Sequence, residues 1–324
     1  MEVLDKYNEL LSDQLQMVVG NKDPQQLYNP IKYILSLGGK RIRPALTLMV
    51  CDFYGGDFNK AIPAALAVEL FHNFSLMHDD IMDDAPLRRG KTSVHEKWDI
   101  NTAILSGDAM LILAYQYFES YTPEIFQELA RLFSETALQV CEGQQKDMDF
   151  ETRENVQVAE YLKMIEQKTA VLLGAAMKMG AIVAQASQAD KDIIYEFGKN
   201  LGIAFQLQDD YLDVFGNPET FGKQVGGDII SNKKTFLYLM AEEKGTPAES
   251  EELAHLFSIN PADPADKIKT VRDIFISSKA AEASRIEIEK YSNKAYSLLH
   301  EINISDDKKM LLQKFGEKLM ERDV

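Results

Sequence analysis

The sequence predicts an all-α protein, and three observations carry that reading. Apolar residues recur at helical spacing through most of the 324 residues, no alternating strand pattern competes, and Gly and Pro punctuation falls between the periodic stretches. Ala67, Leu70, Phe71, Phe74, Met77 and Ile81 follow i, i+3, i+4, i+7, and many residues from Ala103 to Phe118 do the same. Breaks are expected near Asn29-Pro30, Leu37-Gly38-Gly39, Tyr54-Gly55-Gly56, Ala85-Pro86 and Gly216-Asn217-Pro218, as for helices joined by short connections. The least regular stretch, Lys244 to Asp266, mixes Pro, Ala and acidic residues and is expected to be a surface excursion.

With 45% of residues hydrophobic, the chain can bury a substantial core, and its length permits one large domain or two smaller ones. Asp and Glu outnumber Lys and Arg by 51 to 35, and the net charge of -16 argues against a general affinity for nucleic acid or anionic membranes. A phosphate-rich substrate would therefore need local basic patches. The two cysteines, Cys51 and Cys141, give neither a disulfide framework nor a thiolate metal site, which fits a reducing cytoplasm. The amino terminus is polar and amphipathic, and no stretch approaches the roughly 20 apolar residues of a spanning helix, so a soluble chain is expected.

An acidic DDxxD pattern occurs twice. Asp79, Asp80, Asp83 and Asp84 close an apolar helix, where 3.6 residues per turn would align Asp79 with Asp83 and Asp80 with Asp84. Like charges at i, i+4 cost a helix about 0.2–0.5 kcal/mol per pair, so the cluster calls for a counter-cation. Gln206, Asp209, Asp210 and Asp213 likewise fall within about 100° of one another on a second helix. Oxygen donors without His or Cys favour Mg²⁺, which takes one or two carboxylates together with substrate phosphates. Two such faces are expected to clamp a metal-bound diphosphate; each alone could be a solvated acidic face.

Basic residues occur where a phosphate site would need them, at Gly38-Gly39-Lys40-Arg41-Ile42-Arg43-Pro44 and at Arg88-Arg89-Gly90. A nucleotide P-loop is excluded: the Gly216 to Lys223 stretch has one residue too many, and Gln224 stands where Ser or Thr is required. There is no Gly-rich dinucleotide fingerprint, calcium loop or His-Glu-x-x-His helix.

LMHDDIMDDAPLRRG at 76–90 and FQLQDDYLD at 205–213 resemble the two aspartate-rich motifs of trans-polyprenyl diphosphate synthases. GGKRIRP at 38–44, Ser106-Gly107-Asp108, Gly143-Gln144 with Asp147, Lys168-Thr169 and GKQVGGDIISNKKT at 222–235 extend the resemblance over most of the chain. It implies a single domain over residues 1–324, an isoprenoid synthase-type helical bundle around a central cavity, and a homodimer. It also implies that Asp79, Asp83 and Asp209 ligate magnesium, with Asp80, Asp84, Asp210 and Asp213 in direct or water-mediated support. Arg88, Lys168, Lys223 and Lys233 would neutralise the allylic diphosphate. Lys40, Arg43, His72 and Arg89 would form a metal-free pocket for isopentenyl diphosphate. His72, about 20° from Asp79 around the helix, lies on its side; His78 reads as structural.

The implied reaction is ionisation of the allylic diphosphate, attack by the isopentenyl double bond and proton loss, with Thr169 and Gln206 as cation-facing oxygens. Product length should depend on the helix before Asp79. Phe74 lies ~7.5 Å and Phe71 ~12 Å below it, while the small Ser75 leaves room beside Phe74. The pattern resembles geranylgeranyl-forming members, with farnesyl diphosphate as the second product expected. Two other readings are weighed: a class I terpene cyclase, which needs no isopentenyl pocket, and a non-catalytic regulatory subunit, which typically loses site residues. GGKRIRP and the full second DDxxD argue against the first, and the intact site residues against the second.

Overall fold

A computed structural model of the chain describes residues 2–217 and 225–321, and the protein is all-α. Among the described residues the strands are the two-residue β1 (Leu87–Arg88) and β2 (Lys91–Thr92), antiparallel partners in one small hairpin. The chain divides into two compact units, Met1–Ala137 with Ala175–Ile194, and Leu138–Gly174 with Tyr195–Val324. The points of division fall inside α-helices, so each unit owns part of those helices.

The first unit opens with α1 (Glu2–Met17), α2 (Gln25–Ser36), α3 (Ile42–Phe53) and α4 (Ile62–Met82). After the hairpin come α5 (Val94–Lys97), α6 (Ile100–Phe118) and the start of α7 (Pro123–Thr152). α4 carries the expected apolar rows, and Pro63 stands in its first turn, where a missing N–H costs nothing. Its end is set by backbone geometry. Asp84 adopts a left-handed φ of 48°, its N–H reaches Ile81 O at 3.3 Å, and the N–H of Ala85 reaches Asp80 O at 2.9 Å. This is the paired-carbonyl stop usually made with glycine, here made with Asp, which tolerates that region better than most residues.

The core of this unit is aromatic. Phe133 of α7 lies 5.3 Å, ring to ring, from both Phe71 of α4 and Phe118 of α6, and 4.8 Å from Tyr115. Edge-to-face pairs of this kind add to the burial of their large apolar area.

The second unit takes the rest of α7, then α8 (Val158–Ile165), a π-helical turn at Glu166–Ala170, and the first residues of α9 (Val171–Val183). It continues with most of α10 (Gln188–Phe215), α11 (Gly227–Ile230) and α12 (Phe236–Lys244). α13 (Pro247–Leu256), α14 (Ala265–Ser277), α15 (Ala280–Leu298) and α16 (Asp306–Met320) complete it. Leu207, Leu212, Leu237, Phe275 and Ile288 belong to one buried apolar cluster.

The stretch expected to be an irregular excursion contains α13. Thr246 accepts from the Glu249 N–H, and the Glu249 carboxylate accepts from the Thr246 N–H at 2.8 Å. That reciprocal cap, with Pro247 next, starts a helix that the acidic composition disguised. For the first unit, Phe133→Ala should destabilise folding by roughly 3–5 kcal/mol. Chemical denaturation followed by circular dichroism measures it, and a negligible change would remove Phe133 from the core.

Candidate active site

In the first unit α4 presents the first acidic cluster. Asp83 stays in register with Asp79, its N–H bonding to Asp79 O at 2.9 Å. Asp80 is 1% exposed and meets Arg88, whose Nε donates to Asp80 Oδ1 at 2.9 Å and whose Nη2 lies 3.7 Å from Asp79 Oδ2. Part of the counter-charge demanded by the sequence is therefore an arginine on the hairpin. Burial still raises the Asp80 carboxyl above its ordinary range, against the pull of Arg88. Its Oδ2 is buried without a hydrogen-bond partner among the described residues.

The i, i+4 alignment of Asp84 with Asp80 does not form. The helix has ended by residue 84, and the left-handed turn carries that exposed carboxylate away from the helical row. Sequence spacing assumed continuous helix to the last aspartate; the turn at 83–85 intervened.

Of the four residues assigned to a metal-free pocket, Arg43, His72 and Arg89 draw together in the same unit, and Lys40 is not brought to them. Arg43 Nη1 lies 3.4 Å from His72 Nε2. Gly39, at φ 129°, has room for no Cβ, since one would come within 2.7 Å of the Arg89 guanidinium carbon. Burial, then Arg43, Arg89, Arg88 and Arg41, push the His72 pKa well below its ordinary value, so its ring is neutral and accepts from Arg43. Arg43 Nε is buried without a hydrogen-bond partner among the described residues. A cationic cluster with an unfilled buried donor suits an anion. Arg41 is used differently, bound to the Glu69 carboxylate and Leu35 O. Lys40 is exposed and, with Asn8, Ser12 and Lys32, lines a cavity of about 740 Å³.

Phe71 is 1% exposed and enclosed by the aromatic core, its ring 5.6 Å from that of Phe74. Phe74 is half-buried, stacked edgewise on His78 at 4.7 Å, and Ser75 donates its hydroxyl to His72 O at 2.9 Å. Of the two phenylalanines, Phe71 is a brace within the core and Phe74 is the ring with exposed surface. His78 contacts Ile104 O at 3.2 Å, in keeping with a structural role.

In the second unit Lys168 and Thr169 sit on the π-helical turn, a rare widening of the helix often found at functional positions. Gly143 of α7 permits the approach of that turn; a Cβ there would fall 2.3 Å from the Lys168 backbone nitrogen. One turn further along α7, Asp147 takes Lys168 Nζ at 2.6 Å and Lys233 Nζ at 3.6 Å. Burial would raise the Asp147 carboxyl, but Lys233 and Lys168 together hold it below its ordinary value.

Thr169 donates to Gln206 Oε1 at 3.2 Å, and Gln206 Nε2 donates to Asp210 Oδ1 at 3.0 Å. Tyr161 donates its hydroxyl to the other oxygen of Asp210. Burial, then the neighbouring Asp228, push the Asp210 carboxyl up. Asp213 Oδ2 accepts the Asp228 N–H at 2.9 Å, tying α10 to α11. Asp209 is half-buried on α10. Lys223 lies outside the described residues.

Asp147, Tyr161 and Asp228 are the site residues that the sequence reading did not assign. Asp147 and Asp228 stand inside segments singled out there, so their signal was present; Tyr161 had none. The donor sets, carboxylates with amide and hydroxyl oxygens and one orphaned buried oxygen at Asp80, fit a hard divalent cation.

The polyprenyl synthetase family model matches residues 24–274. The geranylgeranyl diphosphate synthase of Methanosarcina mazei is 42% identical over 68% of this chain and 69% of its own. The short chain isoprenyl diphosphate synthase of Methanothermobacter thermautotrophicus is 38% identical over 78% of each. A crystal structure of a geranylgeranyl pyrophosphate synthase superposes with a TM-score of 0.95 at 50% identity, covering 99% of both chains. The chain belongs to the polyprenyl synthetase family and is a trans-prenyltransferase.

Proposed function

We propose that the chain condenses isopentenyl diphosphate with an allylic diphosphate in the presence of Mg²⁺, as a single catalytic domain, to give geranylgeranyl diphosphate in preference to farnesyl diphosphate. One observation carries the reading: the chain has two chemically different sets of residues, each suited to a diphosphate in its own way. Carboxylates suited to a magnesium-bound diphosphate stand on α4 and α10, while the Arg43–His72–Arg89 cluster offers cationic donors without a metal. A cyclase acting on one diphosphate needs only the first set. The names of the similar proteins support the product length.

Asp79, Asp83 and Asp209 are the magnesium ligands, with Asp80, Asp210 and Asp213 in support. When bound, magnesium supplies positive charge that eases departure of the allylic diphosphate. Arg88, Lys168, Lys223 and Lys233 neutralise the same group, and Asp147 aims Lys168 and Lys233. Thr169 and Gln206 turn fixed oxygens toward the developing allylic cation, their mutual hydrogen bond removing the freedom to turn away. Lys40, Arg43, neutral His72 and Arg89 hold isopentenyl diphosphate. No helix among the described residues is long and apolar enough to cross a membrane, and the working location is the cytoplasm.

The enzyme is proposed to act as a homodimer. On α6, Leu105 and Ile112, seven residues apart and so on one face, are each 59% exposed. An unpartnered apolar stripe of this kind calls for cover.

Asp79→Asn and Asp209→Asn should each lower kcat on the order of 10²–10³-fold, read as incorporation of labelled isopentenyl diphosphate, and chelation of divalent cations should abolish turnover until Mg²⁺ returns. Near-normal kcat in both variants would remove the aspartates from the metal set. Phe74→Ala should shift the product toward longer chains by chromatography of the dephosphorylated prenols, and an unchanged distribution would defeat the floor. The double variant Leu105→Asp, Ile112→Asp should elute as a monomer in light-scattering chromatography where the parent elutes as a dimer.

A further inference from the structure

We propose that Asp84, His95 and Glu96 form a second divalent-metal site, of the transition-metal type, at the foot of the β1–β2 hairpin. One ligand atom from each residue lies within 4.8 Å of those of the other two, and His95 Nε2 is 3.8 Å from Glu96 Oε1. Donors around a zinc-sized ion, at about 2.0–2.2 Å from it, stand somewhat closer than that, so a modest inward rotation of the exposed carboxylates completes the set.

The independent pointer is His95. It is 8% exposed, and neither ring nitrogen has a hydrogen-bond partner among the described residues. A buried imidazole in that condition normally has something to bind.

The donor chemistry separates this set from the aspartates of α4. Imidazole with two carboxylates suits zinc, cobalt or manganese better than magnesium, which prefers oxygen alone. Three protein ligands leave a coordination position for water. The left-handed turn that removes Asp84 from the helical row is what delivers it here.

The site has a mechanical consequence. Asp84 precedes the hairpin, His95 and Glu96 follow it, and the Ser93 N–H closes its base on Pro86 O at 3.0 Å. An ion joining the two ends fixes the segment that carries Arg88 and Arg89.

The test is Co²⁺ titration of the metal-stripped chain in excess Mg²⁺, followed by ligand-field absorption, with melting temperature measured alongside. The parent chain should retain a single equivalent of Co²⁺ against Mg²⁺ and melt higher with it. His95→Gln should lose that equivalent, Glu96→Gln should bind at least about tenfold more weakly, and Asp79→Asn should keep it. Glu96 is exposed, so its variant decides the matter even if the buried His95 substitution disturbs folding. Failure to retain Co²⁺, equal binding by parent, His95→Gln and Glu96→Gln, or loss in Asp79→Asn would each overturn the proposal, whatever the chain's substrates prove to be.

Discussion

Burying carboxylates while keeping them able to bear charge is the constraint around which each half of the molecule is arranged. Asp80 and Asp210 are both buried within helices, and burial favours the neutral acid in both. Each is met by fixed donors: Arg88 for Asp80, Gln206 and Tyr161 for Asp210. At Asp80 one oxygen is left without a hydrogen-bond partner among the described residues, whereas both oxygens of Asp210 accept hydrogen bonds; under the proposed function a cation would meet the rest of the demand. A fully compensated carboxylate would have less to gain from a metal, and an uncompensated one would cost the fold more than its helix could supply.

Histidine 72 obeys the same electrostatics with the opposite sign. Surrounded by arginines and largely withdrawn from solvent, it stays neutral and accepts a hydrogen bond from Arg43. An acceptor there lets several guanidinium groups gather without adding another positive charge. Gly39 contributes by absence, because the Arg89 guanidinium occupies the space that any side chain would take.

Helical class, the two aspartate motifs and the basic segments were legible because each is a local pattern: a period, a spacing or a run of like residues. What escaped depended on backbone detail or on partners distant in sequence. Asp84 looks helical by spacing, and only the turn at 83–85 places it elsewhere. Phe71 and Phe74 read alike as possible floors, yet Phe133 in another helix encloses one of them. Tyr161 has nothing beside it in sequence to reveal that it serves Asp210. The helix at Pro247–Leu256 was missed for a different reason, since its Thr246–Glu249 cap was visible in the residues but read as loop composition.

The π-helical turn at Glu166–Ala170 changes the phase of everything after it. One residue inserted into an α-helix rotates the following side chains by about 100°. Val171, Leu172 and Leu173 all reach the interior beyond it, while Lys168 and Thr169 within it stay accessible to polar neighbours. The insertion thus works as a rotary offset along one rod, and a one-residue deletion that healed it would turn every side chain beyond it by about 100° relative to Lys168 and Thr169.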